Sequence, residues 1–119
     1  MPEDALTPDV MSANCPSRLV LRQLTSRWGF LVLLALKDGT MRFAEIRRRI
    51  DGISERMLSE TLGNLVAIGL IRRQDHNEVP PRVDYTLTPL GEEAARRLRH
   101  LADWIEHSLP DFAPGPAEA

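Results

Sequence analysis

Between Gly39 and Gly69 two helical patterns stand back to back with only an Asp51-Gly52 step between them, and few folds accommodate that spacing. In the stretch from Arg42 to Ile50, Phe43, Ile46 and Ile50 recur at helical intervals while Arg48 and Arg49 project from the other side. The Asp-Gly pair ends this helix after about two and a half turns. Ser54 then suits the cap of a second helix. Its Leu58, Leu62 and Leu65 fall on one stripe, with Arg56, Ser59, Glu60 and Gly63 opposite, and Gly69 closes it. Two short helices joined by a tight turn are the outline of a helix-turn-helix.

The flanking patterns complete one domain. After Gly69 the period changes: Leu70 to Asp75 and Arg82 to Thr88 read as the strands of a β-hairpin, the second alternating Val83, Tyr85 and Leu87 against Asp84 and Thr86. Two prolines in its tip, His76 to Pro81, cannot donate to a ladder, so the loop stays open. Upstream, Trp28 to Leu36 is apolar nearly all round, the mark of a central buried helix. Ahead of it Asn14-Cys15-Pro16 starts a short helix carrying Leu19, Val20, Leu21 and Leu24. Thr88-Pro89-Leu90 begins the last helix, in which Leu90, Ala94, Leu98, Leu101, Ile105 and Leu109 recur every three or four residues until Pro110. The expected organisation is a flexible arm over 1–14, a folded domain over 15–109 and a disordered tail over 110–119, in an α+β, mostly helical class.

Composition removes several function classes. A chain of 119 residues suits one ordinary domain. Its single cysteine, Cys15, rules out an internal disulfide and a CxxC pair. The longest apolar stretch, Gly29 to Leu36, is too short to cross a bilayer, and no signal sequence opens the chain, so a cytoplasmic protein without a membrane partner is expected. No glycine-rich phosphate loop, HExxH or Ser-His-Asp set is present, which leaves an enzyme no catalytic residues. His100, Asp103 and His107 share a helical face, but three such residues without a fourth are expected to be solvated, so neither a metal nor a cofactor is assigned.

Charge is distributed unevenly. The net charge is −2, yet all 15 basic residues and only 10 of the 17 acids lie between Arg18 and Arg99, so the middle is basic and the ends acidic. On the second helix of the pair, Ser54 sits where backbone N–H groups favour a phosphate, Arg56 and Ser59 point away from the leucines, and Glu60 is able to accept from a cytosine amine. Arg47, Arg48 and Arg49 read either as phosphate clamps or as a solvated face, and the helix-turn-helix context favours clamps. Arg42, at the start of the same segment, joins that contact set. Arg82 flanks the hairpin tip with access to a minor groove, and His76 either touches sugar and phosphate or belongs to an unengaged loop. Gly63 costs about 1 kcal/mol of helix stability against alanine, through either drift or a close approach.

Cys15-Pro16, Arg27-Trp28, Asp38-Gly39, Arg42-Phe43, Gly52-Ile53-Ser54, Met57-Leu58, Gly69-Leu70-Ile71, the run Val79-Pro80-Pro81-Arg82-Val83-Asp84-Tyr85, Leu87-Thr88 and Gly91 occur in that order. Together they resemble the HxlR-type family of bacterial winged-helix transcription regulators. The resemblance implies a winged helix-turn-helix with an N-terminal helix and a long C-terminal dimerisation helix, in a homodimer that binds double-stranded DNA at a near-palindromic operator. It also implies a small-molecule or oxidant effector, since in some members the cysteine matching Cys15 is the reactive group. Read from the residues, Cys15 is either a thiolate favoured by a helix start and by Arg18 one turn on, or a small packed side chain. Gly63 stands where the family commonly has a basic residue, and Glu55 and Glu60 add negative charge. These departures leave open a winged-helix protein-interaction module without DNA recognition and, more remotely, a small thiol enzyme acting through Cys15.

Overall fold

The computed structural model describes residues 7–115, and the expectations for 1–6 and 116–119 lie outside the described residues. Its organising element is the second helix, because every other α-helix touches it. Helix α1 (Ser17–Thr25) turns through 78° into α2 (Arg27–Leu36). At that corner the Ser26 hydroxyl oxygen accepts from the Gly29 N–H at 3.1 Å, and a Cβ on Gly29 would meet the Gln23 carbonyl. Val32 and Leu33 of α2 are fully buried, as the all-round apolar pattern requires.

The helix pair follows as read: α3 (Phe43–Arg49), a turn through Gly52 at φ +87°, then α4 (Glu55–Ala67). Ser54 caps α4, its Oγ accepting the Met57 N–H at 3.0 Å. Leu58, Leu62 and Leu65 enter the core with Leu36, Ile46 and Ile53. Gly69, at φ +81°, reverses the chain into the hairpin.

The sheet has three antiparallel strands rather than the two of a hairpin. β1 (Met41–Arg42), β2 (Ile71–Asp75) and β3 (Val83–Leu87) run in the order β1-β3-β2, with Met41 opposite Tyr85 and Ile71 opposite Leu87. Two residues are too few to show alternation, so β1 left no trace in the periodicity. Pairing places Arg42, Arg72, Gln74, Asp84 and Thr86 on the face of the sheet opposite Ile71 and Leu87.

In helix α5 (Pro89–His107) the buried positions are Gly91, Ala95 and Ala102; of the stripe read from sequence, Ala94 and Leu98 pack against the core, while Leu90, Leu101, Ile105 and Leu109 are exposed, together with Trp104. Small side chains let α5 lie close against the domain, and a period shows that residues are apolar without telling which of them turn inward. Gly91 is the tightest point, because a Cβ there would meet the Leu70 carbonyl oxygen. Beyond α5, Leu109–Asp111 forms a 3-10 helix, and the Phe112 ring stands edge-on to Trp104 at 5.4 Å.

Candidate nucleic-acid interface

On α4 the leucine stripe faces in, so Arg56, Ser59, Glu60 and Gly63 face out. Arg56 is 89% exposed, and its one ion-pair partner among the described residues is Glu60 one turn on, Nε to Oε1 at 3.4 Å. Among the described residues nothing lies within 4 Å of where a Gly63 Cβ would stand, so no neighbouring helix among them explains that glycine. Ser54 is fixed by its capping bond at the helix start.

The three arginines of α3 do not act as one patch. Successive helical residues point about 100° apart, so they diverge. Arg47 leans toward Glu55 at 3.8 Å, Arg48 is exposed, and Arg49 turns away to line a cleft between α2 and α5. Arg49 thus stands apart from its neighbours in the contact set assigned from sequence.

On the wing, His76 and Arg82 both pair with Asp84, which is only 13% exposed. One carboxylate oxygen is 2.8 Å from His76 Nε2 and accepts from Arg82 Nη2 at 3.1 Å; the other lies 4.0 Å from Arg42 Nε. The hydrogen bonds from His76 and then from Arg82 hold the Asp84 carboxyl below the usual carboxylate range. The His76 N–H donates to the Arg82 carbonyl at 2.9 Å and closes the hairpin, while Val79 at the tip is bare. Asp84 and Arg72 were missing from the sequence-derived contacts. The alternation that marked Leu87 as inward also marks Asp84 as outward, but nothing in a single sequence shows which cations converge on it.

Cys15 is half-buried in a turn preceding α1. The Ser17 hydroxyl donates to its sulfur at 2.9 Å and the Asp9 N–H at 3.3 Å, which together lower the thiol pKa from its ordinary value, the Ser17 bond contributing most. Arg18 is not the expected partner, since its guanidinium donates to the carbonyls of Val10 at 2.6 Å and Met11 at 3.1 Å. It ties down the segment that presents the Asp9 N–H. Among the described residues no group of three His, Cys, Asp or Glu is placed to hold a metal, and Asp103 pairs with Arg99 at 2.8 Å.

A family model described as HxlR-like helix-turn-helix matches residues 23–112. The chain belongs to that family. Among HxlR-like relatives, the HTH-type transcriptional regulator YtfH of Escherichia coli is 48% identical over 103 residues, covering 87% of this chain and 82% of that protein. The solved transcriptional regulator ytfH from Salmonella typhimurium superposes with a TM-score of 0.83 at 48% identity, over 88% of this chain and 94% of that one. The redox regulator HypR in its oxidized form gives 0.71 at 32% identity, over 78% of this chain and 96% of that one. The HxlR-like assignment makes the chain a helix-turn-helix transcriptional regulator and not an enzyme.

Two further surfaces of this HxlR-like fold are a cleft and an exposed apolar face. A cleft of about 460 Å³ opens between α2, the end of α3 and α5, with Leu31, Leu34, Ile50 and Ile105 in its wall and Arg49 and Glu106 among its charged lining. Leu19, Val20, Leu90, Leu101, Trp104 and Leu109, on α1, on α5 and just beyond it, are exposed. Among the described residues no single helix is long and apolar enough to cross a membrane.

Proposed function

We propose that this regulator is a cytoplasmic homodimer that binds a near-palindromic operator as a repressor and is released by oxidation or electrophilic modification of Cys15. One observation carries the DNA reading: α4 buries its leucines and turns Arg56, Ser59 and Glu60 outward around an uncovered Gly63. A helix meant for a protein partner would turn an apolar patch outward, yet Met57 is the one exposed large apolar side chain on α4. Two copies joined through the exposed apolar residues of α1 and α5 would address half-sites about 34 Å apart.

Fluorescence anisotropy against duplexes selected from a randomised pool, repeated as salt is raised, tests this reading. Site-specific binding that weakens steeply with salt is expected, and no retained site at low salt overturns it. Trp104→Arg at the exposed apolar face is expected to yield monomers in sedimentation and to abolish operator binding.

For Cys15, the support is the lowered thiol pKa and the similarity to a protein described as a redox regulator. With no second cysteine in the chain, oxidation runs to a sulfenic acid, a mixed disulfide with a small thiol, or a bridge to the same cysteine of a second copy. Ser17→Ala is expected to move the alkylation midpoint of Cys15 to higher pH. Cys15→Ser is expected to abolish oxidant-dependent release from DNA, and release that persists defeats the sensor assignment. The cleft beside Arg49 is of a size to take a small molecule as an alternative effector.

A further inference from the structure

An acidic group is a strange occupant for a surface that must attract a polyanion. Asp84 nevertheless sits at the centre of the basic face of the sheet, on the strand flanked by both others, and takes a partner from each side. Arg42 belongs to β1 and leads into α3, His76 follows β2, and Arg82 precedes β3. Gln74 of β2, its other cross-strand neighbour, carries no charge.

We infer that Asp84 is the positioning residue of the DNA surface: by gripping Arg82, His76 and Arg42 it lowers affinity for duplex of any sequence and raises discrimination for the operator. The inference rests on the DNA-binding reading above. Arg82 is held through Nη2, its Nε is buried without a partner among the described residues, and its side chain remains 41% exposed. A guanidinium held this way has already surrendered its rotamer freedom, so it meets only a backbone that arrives in the right place. A free arginine would swing to whatever phosphate was nearest. The carboxylate also offsets part of the positive charge that drives sequence-independent binding. The same clasp sets Arg42 against the wing, so the start of the helix pair and the hairpin move as one body.

Asp84→Asn keeps the shape and removes the charge. The assay measures binding of the full-length variant to a mixed-sequence duplex and to the best duplex selected by the wild-type protein, between about 50 and 200 mM salt. For the mixed duplex, affinity is expected to rise about fivefold at the lower salt, with a log–log salt dependence steeper by about one, as for one additional phosphate contact. The ratio of selected to mixed affinity is expected to fall about tenfold. Arg82→Gln added to Asp84→Asn is expected to return the salt slope to its wild-type value. Asp84→Glu, which keeps the charge, is expected to leave the slope unchanged. A merely structural role would lower affinity for both duplexes without steepening the slope, and that result overturns the inference. So does a slope that stays steep in the double variant.

A DNA-free measurement separates the two layers. Loss of the clasp is expected to accelerate hydrogen exchange at the His76 amide, which bonds to the Arg82 carbonyl, while core amides of α2 keep their wild-type rates. Unchanged exchange at His76 overturns the clasp even if the variant binds DNA differently. Failure of the wild-type chain to bind any duplex defeats the DNA reading itself, whereas wild-type binding with an unaltered Asp84→Asn variant defeats only this assignment.

Discussion

Helix α4 and the hairpin are held in place by different physics. The helix is fixed from below: Leu58, Leu62 and Leu65 are buried in the core, and the outward residues bear almost no part of the load. The hairpin has a mostly exposed strand, β2, in which Ile71 is the one buried position. It is held at its base by Leu70, Ile71 and Leu87 in the core and by the close approach of Gly91 to Leu70, and toward its tip by the Asp84 clasp. An element fixed by burial is free to vary its exposed side chains. One fixed by polar pairs is bound to the residues that make them, and it opens when those pairs are titrated or competed away.

Breaking the apolar support of α4 has the largest expected effect. Leu62→Ala removes a side chain that is 2% exposed, and the lost transfer energy plus cavity amount to about 2–5 kcal/mol. A thermal or denaturant melt is expected to show cooperative loss of the whole domain, since this residue belongs to the single core. At the hairpin base the change runs the other way, by adding an atom. Gly91→Ala pushes a Cβ into the Leu70 backbone and is expected to cost about 1–3 kcal/mol by overpacking. If the variant melts like the wild type, α5 and the Leu70 backbone are not in the contact described.

How far the sequence foretold this arrangement follows from the same contrast. Burial leaves a period, so α2, the turn at Gly52 and the leucine face of α4 were readable. Polar support leaves none. Asp84 looked like any outward strand residue, and the inward turn of His76 and Arg82 depended on cross-strand register, which one sequence does not specify. Neither Ser17 nor the Asp9 N–H announced itself as the partner of Cys15, because Arg18 offered the more obvious charge. On α5 the apolar stripe divides, Ala94 and Leu98 packing against the core while Leu90, Leu101 and Leu109 stay exposed, and a period alone does not show where that division falls.

Acid is expected to act on the clasp before it acts on the support of α4. The folded pKa of Asp84 is depressed by His76 and Arg82, so its contribution is full above the unfolded value of about 3.9 and is lost as pH falls through the lower folded value. Stability from this group therefore rises with pH across that window and is flat above it. Following the His76 and Asp84 amide shifts by NMR below about pH 4 is expected to show a wing transition in the wild type that Asp84→Asn lacks. A transition of equal size in both proteins would assign the acid response to other carboxylates.

The smallest expected effect on stability belongs to the residue expected to matter most for recognition. Among the described residues Arg56 pairs with Glu60 alone, at 3.4 Å and in solvent, and such pairs contribute about 0–1 kcal/mol. Arg56→Ala is therefore expected to leave the melting curve within about 0.5 kcal/mol of wild type. If Arg56 reads a base edge, the same change costs about 1–3 kcal/mol against the selected duplex and relaxes preference at one position; if it meets only phosphate, binding weakens evenly across sequences and the salt slope drops by about one. Glu60→Gln separates these further, because freeing Arg56 from its neighbour is expected to strengthen binding to mixed-sequence duplex without moving the base preference. An Arg56 variant that matched wild type in both affinity and preference would remove α4 from the interface, and with it the reason for holding that face of the helix bare.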